Sequence, residues 1–193
     1  MMDIVTVFHN KENYEQSFDL ISALQRYEPD SFIMFLHSNM VNNKGFSRAC
    51  NIEAAKGSSP IIGFLNPDVV VEGPFIDLVD RTLVGNVVIT GCNFNKASHD
   101  LKIWGVKNWV CGATFFVKRD WFESLGGFDE RFIWSHEETD FIRTTEKLGK
   151  LVQPISLPLL HASPDNDSER DMGYKEKYFR EASLEYQRKW SRG

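Results

Sequence analysis

Apolar and polar positions alternate along the chain in short blocks, and the blocks switch between strand and helix spacing. Asp3 to Phe8 (D-I-V-T-V-F) is short, β-branched and apolar, which predicts a first buried strand closed by the polar His9-Asn10. Between Glu12 and Arg26, and just beyond, Phe18, Ile21, Leu24 and Tyr27 recur at helical spacing until Pro29-Asp30 ends the pattern. Ser31 to Leu36 (S-F-I-M-F-L) predicts a second buried strand, and the Asn-rich stretch from His37 to Lys44 a loop. Ser47 is a candidate cap for a helix running to Lys56, and Gly57-Ser58-Ser59-Pro60 turns into the apolar run Ile61 to Leu65. That run stops at Asn66-Pro67-Asp68, because Pro67 has no N–H to give a sheet.

The order β-α-β-α-β predicts a parallel sheet with helices on its faces. Right-handed crossovers then bring Asn10, His37 and Asp68 to one sheet edge, and open α/β sheets hold ligands beyond the carboxyl ends of their strands. Further on, helices are expected over Phe75–Leu83, Arg119–Leu125 (capped near Asp120), Glu137–Leu148 and Gly173–Trp190. On the third of these, Phe141, Thr145 and Leu148 share a face. Strands are expected over Asn86–Cys92 and Trp109–Val117, the latter with small residues at Cys111-Gly112-Ala113. Phe94–Asn108 has no clear period, Leu151–Leu160 is extended and broken by prolines before His161, and Pro164–Arg170 is a polar loop. No repeat or linker interrupts the chain, so a single α/β domain over 1–193 is expected.

Composition narrows the function classes. With 193 residues, 42% hydrophobic and 25% charged, the chain can bury a full core. Its net charge of −5 argues against a broadly basic nucleic-acid-binding surface. Cys50, Cys92 and Cys111 are far apart, have no zinc-ligand spacing and fit a reducing compartment. No stretch approaches the roughly 18 apolar residues of a membrane span. Met1-Met2-Asp3 leads straight into a strand without a signal-peptide pattern. A soluble, cytoplasmic protein is expected.

Three distant segments end elements in acids or histidine: Asn66-Pro67-Asp68, Ser135-His136-Glu137-Glu138-Thr139-Asp140, and His161. Together such groups can form a metal site plus a general base. Each also has a plain structural reading. Asp68 could cap a turn, His161 could be a packed histidine, and Ser135-x-x-Glu138 is a capping-box pattern.

The same segments resemble a family 2 glycosyltransferase of the GT-A fold. The resemblance runs through T-V-F-H-N (Thr6 to Asn10), N-K-G-F-S-R-A-C-N (Asn43 to Asn51), F-L-N-P-D-V (Phe64 to Val69) and C-G-A-T-F-F-V-K-R (Cys111 to Arg119). It continues in G-G-F-D-E-R-F-I-W-S-H-E-E-T-D-F (Gly126 to Phe141), Leu160-His161 and the Lys189-Trp190 end. It implies a Rossmann-like, mostly parallel central sheet flanked by helices, with a nucleotide-sugar-binding half (1–92) and an acceptor-binding, catalytic half (93–193). It implies inverting transfer of a hexosyl or rhamnosyl group from a nucleotide sugar (a UDP- or dTDP-sugar) to a hydroxyl on a glycan, a lipid-linked acceptor or another acceptor.

The resemblance also implies roles. Asp68 matches the last acid of the family's D-x-D motif and becomes a metal or diphosphate ligand, with His161 completing a site for Mn²⁺ or Mg²⁺. Asn66 stands where the first aspartate is usual, as in rhamnosyltransferase-like N-P-D variants. Glu138 or Glu137 would be the base. Phe8, Asn10, Asn43, Arg48, Asn66 and Asp68 match the nucleotide-sugar pocket, and Trp104, Cys111, Gly112 and Asp129 are acceptor-binding candidates. For Trp104 and Trp109 core packing is the competing reading. The basic final helix, with Lys175, Lys177, Arg180, Arg188, Lys189 and Arg192, is a solvated face or a peripheral contact with an anionic membrane. Two rivals stand beside the transferase: a sugar nucleotidyltransferase, and a non-catalytic nucleotide-sugar or carbohydrate-binding module.

Overall fold

The computed structural model describes residues 1–41, 43, 45–94, 104–162 and 169–191, the last segment as backbone only up to residue 175. Lys44, Arg192, the Lys175 side chain, residues 95–103 of the aperiodic stretch and residues 164–168 of the expected polar loop lie outside the described residues. The strands are β1 (Met2–Phe8), β2 (Phe32–Ser38), β3 (Ile61–Leu65), β4 (Val69–Val71), β5 (Val87–Gly91), β6 (Thr114–Lys118), β7 (Leu151–Pro154) and β8 (Leu159–His161). The helices are α1 (Lys11–Tyr27), α2 (Phe46–Ala54), α3 (Ile76–Thr82), α4 (Arg119–Ser124), α5 (Glu137–Lys147) and α6 (Glu169–Trp190).

Six strands form one sheet in the order β2-β1-β3-β6-β5-β7, and β4 and β8 form a second, two-stranded antiparallel sheet. Within the large sheet only β6 runs against the rest. The fold is therefore the expected mixed α/β domain with a mostly parallel centre. Alternate residues of the central strands supply two cores, as the two-residue period of a strand requires. Val5, Ile62, Phe64 and Phe115 pack on the face covered by α2, α4 and α5, while Ile4, Ile61, Leu65 and Phe116 face α1 and α3. Phe128 sits inside the first core against Phe64, Phe115, Phe122 and Phe141, with ring centroids 4.9 to 5.6 Å apart. Ahead of it, Gly127 has φ +81°, and a Cβ there would lie 2.5 Å from Asn51 Oδ1. Asn51 on α2 in turn exchanges two 2.9 Å hydrogen bonds with the Phe128 backbone. The G-G-F motif is thus a docking device for α2.

Several local expectations change. β2 is a half-exposed edge strand, not a buried one, and Ile33 and Leu36 face solvent. α1 buries Ser17, Leu20 and Leu24, leaving Phe18 50% exposed, so its core face is rotated from the expected one. Ser47 is not a cap: it lies within α2 and donates to the Phe132 carbonyl at 2.5 Å, while Gly45 holds the cap position with φ 85°. Residues 109–113 precede β6 instead of belonging to it, and Leu148 is exposed beyond the end of α5. Asp120 is not the cap but the second residue of α4, two past the cap Lys118.

The far end of the sheet is pinned by a buried ion pair. Asp3 accepts from Arg119 Nη2 (2.6 Å), Ser59 N (2.9 Å) and Ser59 Oγ (2.7 Å). Arg119 also donates to the carbonyls of Ser59 and Ala54. Removing one member of such a pair leaves the other buried without its counter-charge. Arg119→Met is expected to lower unfolding stability by about 3 kcal/mol, read as a lower urea midpoint at unchanged slope.

Candidate active site

The parallel strands β1, β2 and β3 end at the same edge, where Asn39 N donates to the Phe8 carbonyl at 2.8 Å. β6 starts there because it runs the other way, and Asn66 N donates to Ala113 O at 3.0 Å. The Asn66-Pro67-Asp68 turn and the Cys111-Gly112-Ala113 turn are therefore neighbours.

Asp68 opens β4, whose partner β8 places His161 opposite Val69, while Ala162 N donates to Asp68 O. The two side chains meet, His161 Nε2 to Asp68 Oδ2, at 3.2 Å, and both are mostly shielded. Phe94 stacks on the imidazole with ring centroids 5.9 Å apart.

Across the Cys111-Gly112 turn stands the N-terminus of α5. Ser135 and His136 both take left-handed backbone, φ 69°, to turn the chain into the helix. The capping box does not form: His136 is the cap residue and makes no side-chain cap bond, so Glu137 and Glu138 are the first two helical residues. Glu137 is buried, with Oε2 lacking a partner among the described residues. Burial and the neighbouring Glu138 push its carboxyl well above the ordinary range. Glu138 is half-buried; burial raises it too, while first-turn backbone amides, the Thr139 hydroxyl (3.1 Å to Oε1) and the Trp109 indole N–H pull the other way. A Cβ built on Gly112 would lie 3.7 Å from Glu138 Oε2, so that oxygen lies on the side of the Gly112 turn. Burial lifts the Cys111 thiol to about 12, and the charges of Glu138 and Asp68 add to the effect. Cys111 therefore feels both acid sites.

This arrangement can be set beside known proteins. The sequence matches no family model and no curated protein. Solved structures do match. A mannosyltransferase from Pyrobaculum calidifontis in complex with GDP-Man and Mn²⁺ aligns with TM-score 0.73 at 14% identity, covering 97% of this chain and 64% of that one. The catalytic domain of Drosophila β1,4-galactosyltransferase 7 in complex with xylobiose aligns at 0.59 and 15%, covering 89% and 77%. S. aureus TarS in complex with UDP aligns at 0.58 and 9%, covering 80% and 57%. The chain has the GT-A glycosyltransferase fold. It spans about 64% of the length of the mannosyltransferase.

The other candidate residues are placed as follows. Asn10 caps α1 by accepting from Asn13 N at 2.8 Å, and Asn43 accepts from Gly45 N ahead of α2. Phe8 is buried beside Tyr14. Arg48 is exposed and lies 3.9 Å from Glu130. Trp104 packs edge-on against His136 and Tyr186, which realises its packing alternative. Asp129 is held well below the usual carboxylate range by Arg131 and Lys189, both of which bond it directly. That engagement competes with the acceptor contact expected of it. Two site features escaped sequence reasoning. One is Trp109 on Glu138. The other is Trp134, whose ring lies 4.8 Å from His9 and joins the α5 lead-in to the end of β1. Trp134 two residues before H-E-E, and Trp109 two residues before Cys111-Gly112, were the available signal.

His136 is packed among Trp104, Phe179 and Tyr186, and burial drops its imidazole to about 4. The unfolded chain takes up that proton near pH 6.5, so this contribution to stability is intact above 6.5 and is lost as pH falls toward 4. The raised acids, Glu137 and Glu138, act in the opposite sense, favouring the fold as pH falls. His136→Asn, which tolerates left-handed backbone, is expected to lose about 2 kcal/mol less than the parent between pH 7 and pH 5 in urea titrations.

Proposed function

We propose that this chain is an inverting, divalent-metal-assisted glycosyltransferase that moves a hexosyl or rhamnosyl-type group from a nucleoside-diphosphate donor to an acceptor hydroxyl. The observation that carries the reading is the flanking of one turn, Cys111-Gly112, by two kinds of group: the Asp68–His161 pair and the Glu138 carboxylate. The shared fold and the nucleotide-sugar, nucleotide and Mn²⁺ ligands named for the similar structures support it.

Glu138 rather than Glu137 is the base. Its carboxyl is half-buried and lies beside the turn, whereas Glu137 is buried, with burial and the neighbouring Glu138 pushing its carboxyl well above the ordinary range. In the reaction Glu138 takes the proton from the acceptor hydroxyl. The acceptor oxygen bonds to the anomeric carbon from the face opposite the diphosphate, and the bond to the phosphate oxygen breaks with its electron pair leaving on the nucleotide. One displacement inverts the anomeric centre.

Asp68 and His161 fit a divalent cation. Their donor atoms are 3.2 Å apart, close to the roughly 3 Å between adjacent ligands of an octahedral ion bound at about 2.1 Å. An oxygen–imidazole pair suits Mn²⁺ as well as Mg²⁺. Among the described residues no third His, Cys, Asp or Glu joins them. A bound cation would offset the charge that develops on the departing diphosphate. The half over 1–92 holds the donor and the half over 93–193 presents the acceptor. Among the described residues no helix is long and apolar enough to cross a membrane. α6 exposes Leu184, and a peripheral contact with an anionic membrane would use its basic face.

Purified protein incubated with UDP-, dTDP- and GDP-sugars and Mn²⁺ is expected to release nucleoside diphosphate. Glu138→Gln is expected to cut that release about 10²–10⁴-fold, with donor-induced thermal stabilisation retained. Asp68→Asn or chelation is expected to abolish that stabilisation as well. Release of diphosphate at parental rates by Glu138→Gln would sink the assignment of the base, and silence of the parent with every donor would sink the reaction class.

A further inference from the structure

The six-stranded sheet has two edges, and they are built differently. At one edge β7 is four residues long, follows Lys150, ends on Pro154 and meets β5 through an irregular register. Short length, lysine, proline and a bulge are the devices that keep a sheet edge from pairing with another chain. At the other edge β2 runs for seven residues, all of them in unbroken register with β1. Among the described residues β1 is its only strand partner, so its outer side presents a row of N–H and C=O groups open to another strand. The sequence does not guard this edge. From Ser31 to Asn43 there is no Asp, Glu, Lys, Arg or Pro, and Phe32–Leu36 (F-I-M-F-L) is apolar throughout. Phe35 packs on the first core, and Phe32 and Met34 on the second. Alternation therefore leaves Ile33 on one face and Leu36 on the other, both exposed. Met40 and Val41, just past the strand, are exposed as well. Beside Phe8, the β1 partner of Ser38, the half-exposed rings of Tyr14 and Phe18 extend the apolar surface along α1.

We propose that β2 is an interface between two copies of this chain: the two β2 strands pair antiparallel about a two-fold axis normal to the sheet and join two six-stranded sheets into one. This surface is independent of the reaction proposed above. Three features favour a second copy over any other occupant. Pairing β2 with itself covers both open edges at once and leaves only the guarded β7 strands outermost, so the assembly closes at two. The chain carries a net charge of −5, and a stretch without acids or bases is where two copies meet without setting like charges opposite one another. The axis also sets each face of the sheet beside the same face of the second copy. The two Ile33 side chains then share one face of the seam and the two Leu36 side chains the other, and both pairs leave water. Because the strands run opposite ways, the two crevices beyond their carboxyl ends point in opposite directions.

The test is mass in solution, measured by sedimentation velocity on the whole chain. At about 50 μM, above the micromolar Kd of the weakest standard-size interfaces, the parent is expected at twice the 22.2 kDa of one chain. Ile33→Lys combined with Leu36→Lys changes two exposed positions and sets like charges beside each other across the axis. It is expected to halve the mass and leave the circular dichroism unchanged. Its melting point is expected not to vary with protein concentration, whereas that of the parent rises with it. Hydrogen exchange on the parent carries the test if the double variant does not fold. On dilution below the Kd, amides within 32–38 are expected to exchange at least about tenfold faster, while those of β7 hold their rates. A parent of single-chain mass at 50 μM overturns the proposal, and that is the outcome if the edge serves a peptide or an unrelated protein instead. Mass that grows beyond two chains overturns it too, because a closed pair leaves no open β2. So does a dimer that survives the double substitution, or dilution-dependent exchange confined to segments other than β2.

Discussion

The antiparallel pairing of β3 with β6 is the constraint on which the rest of the architecture hangs. Five registered pairs, from Ile61↔Lys118 to Leu65↔Thr114, bring the second half of the chain against the first in the middle of the sheet. Because β6 runs down where its neighbours run up, the residues that precede it arrive at the edge where the parallel strands end. That geometry sets Cys111-Gly112-Ala113 beside Asn66-Pro67-Asp68. The Asp3–Arg119–Ser59 cluster locks the same pair at its other end, tying β1, the lead-in to β3 and the start of α4 in one buried network. A slip of one residue would turn Phe115 and Phe116 to the wrong faces, so both cores enforce the register that assembles the site.

Two carboxyls in sequence at a helix N-terminus, both shielded from water, are costly to ionise together. The structure divides them. Glu138 receives the Thr139 hydroxyl and the free amides of the first helical turn, where the helix dipole favours negative charge. Glu137 receives no side-chain partner for Oε2 among the described residues and faces its neighbour's charge. Neighbouring acids in unlike surroundings are pushed toward unlike roles, and Glu137 and Glu138 stand in such unlike surroundings.

Much of this was legible in the sequence, for identifiable reasons. The strand–helix order and the stop at Pro67 follow from local chemistry, and so does the shared edge. Glu137, Glu138, Asp68 and His161 stood out because acids and histidine at element ends are few. What was not legible depended on tertiary partners. Ser47 looks like a cap until Phe132 supplies a carbonyl 85 residues away. Ser135 and Glu138 have capping-box spacing, but two left-handed residues shift the helix start past Ser135. Asp3 and Arg119 are ordinary charges until the fold buries them together. Trp109 reads as core packing, and it does pack against the core.

The end of the chain shows how far such partners reach. α6 lies across the start of α5, and its last turn delivers Lys189 Nζ and Trp190 Nε1 to Asp140 at 2.7 and 2.9 Å. Lys189 also bonds Asp129 at 2.9 Å, beyond the G-G-F turn. Arg143, one turn further along α5, stacks over Trp190 and donates to the Trp104 carbonyl. Tyr186 bonds the same carbonyl. Asp140 is only two residues past Glu138, so α6 bears directly on the turn that holds the acid pair. The Lys189-Trp190 ending therefore braces the first turns of α5 through Asp140. It fixes from behind a helix start whose two acids, one buried and one half-buried, stand in unlike surroundings.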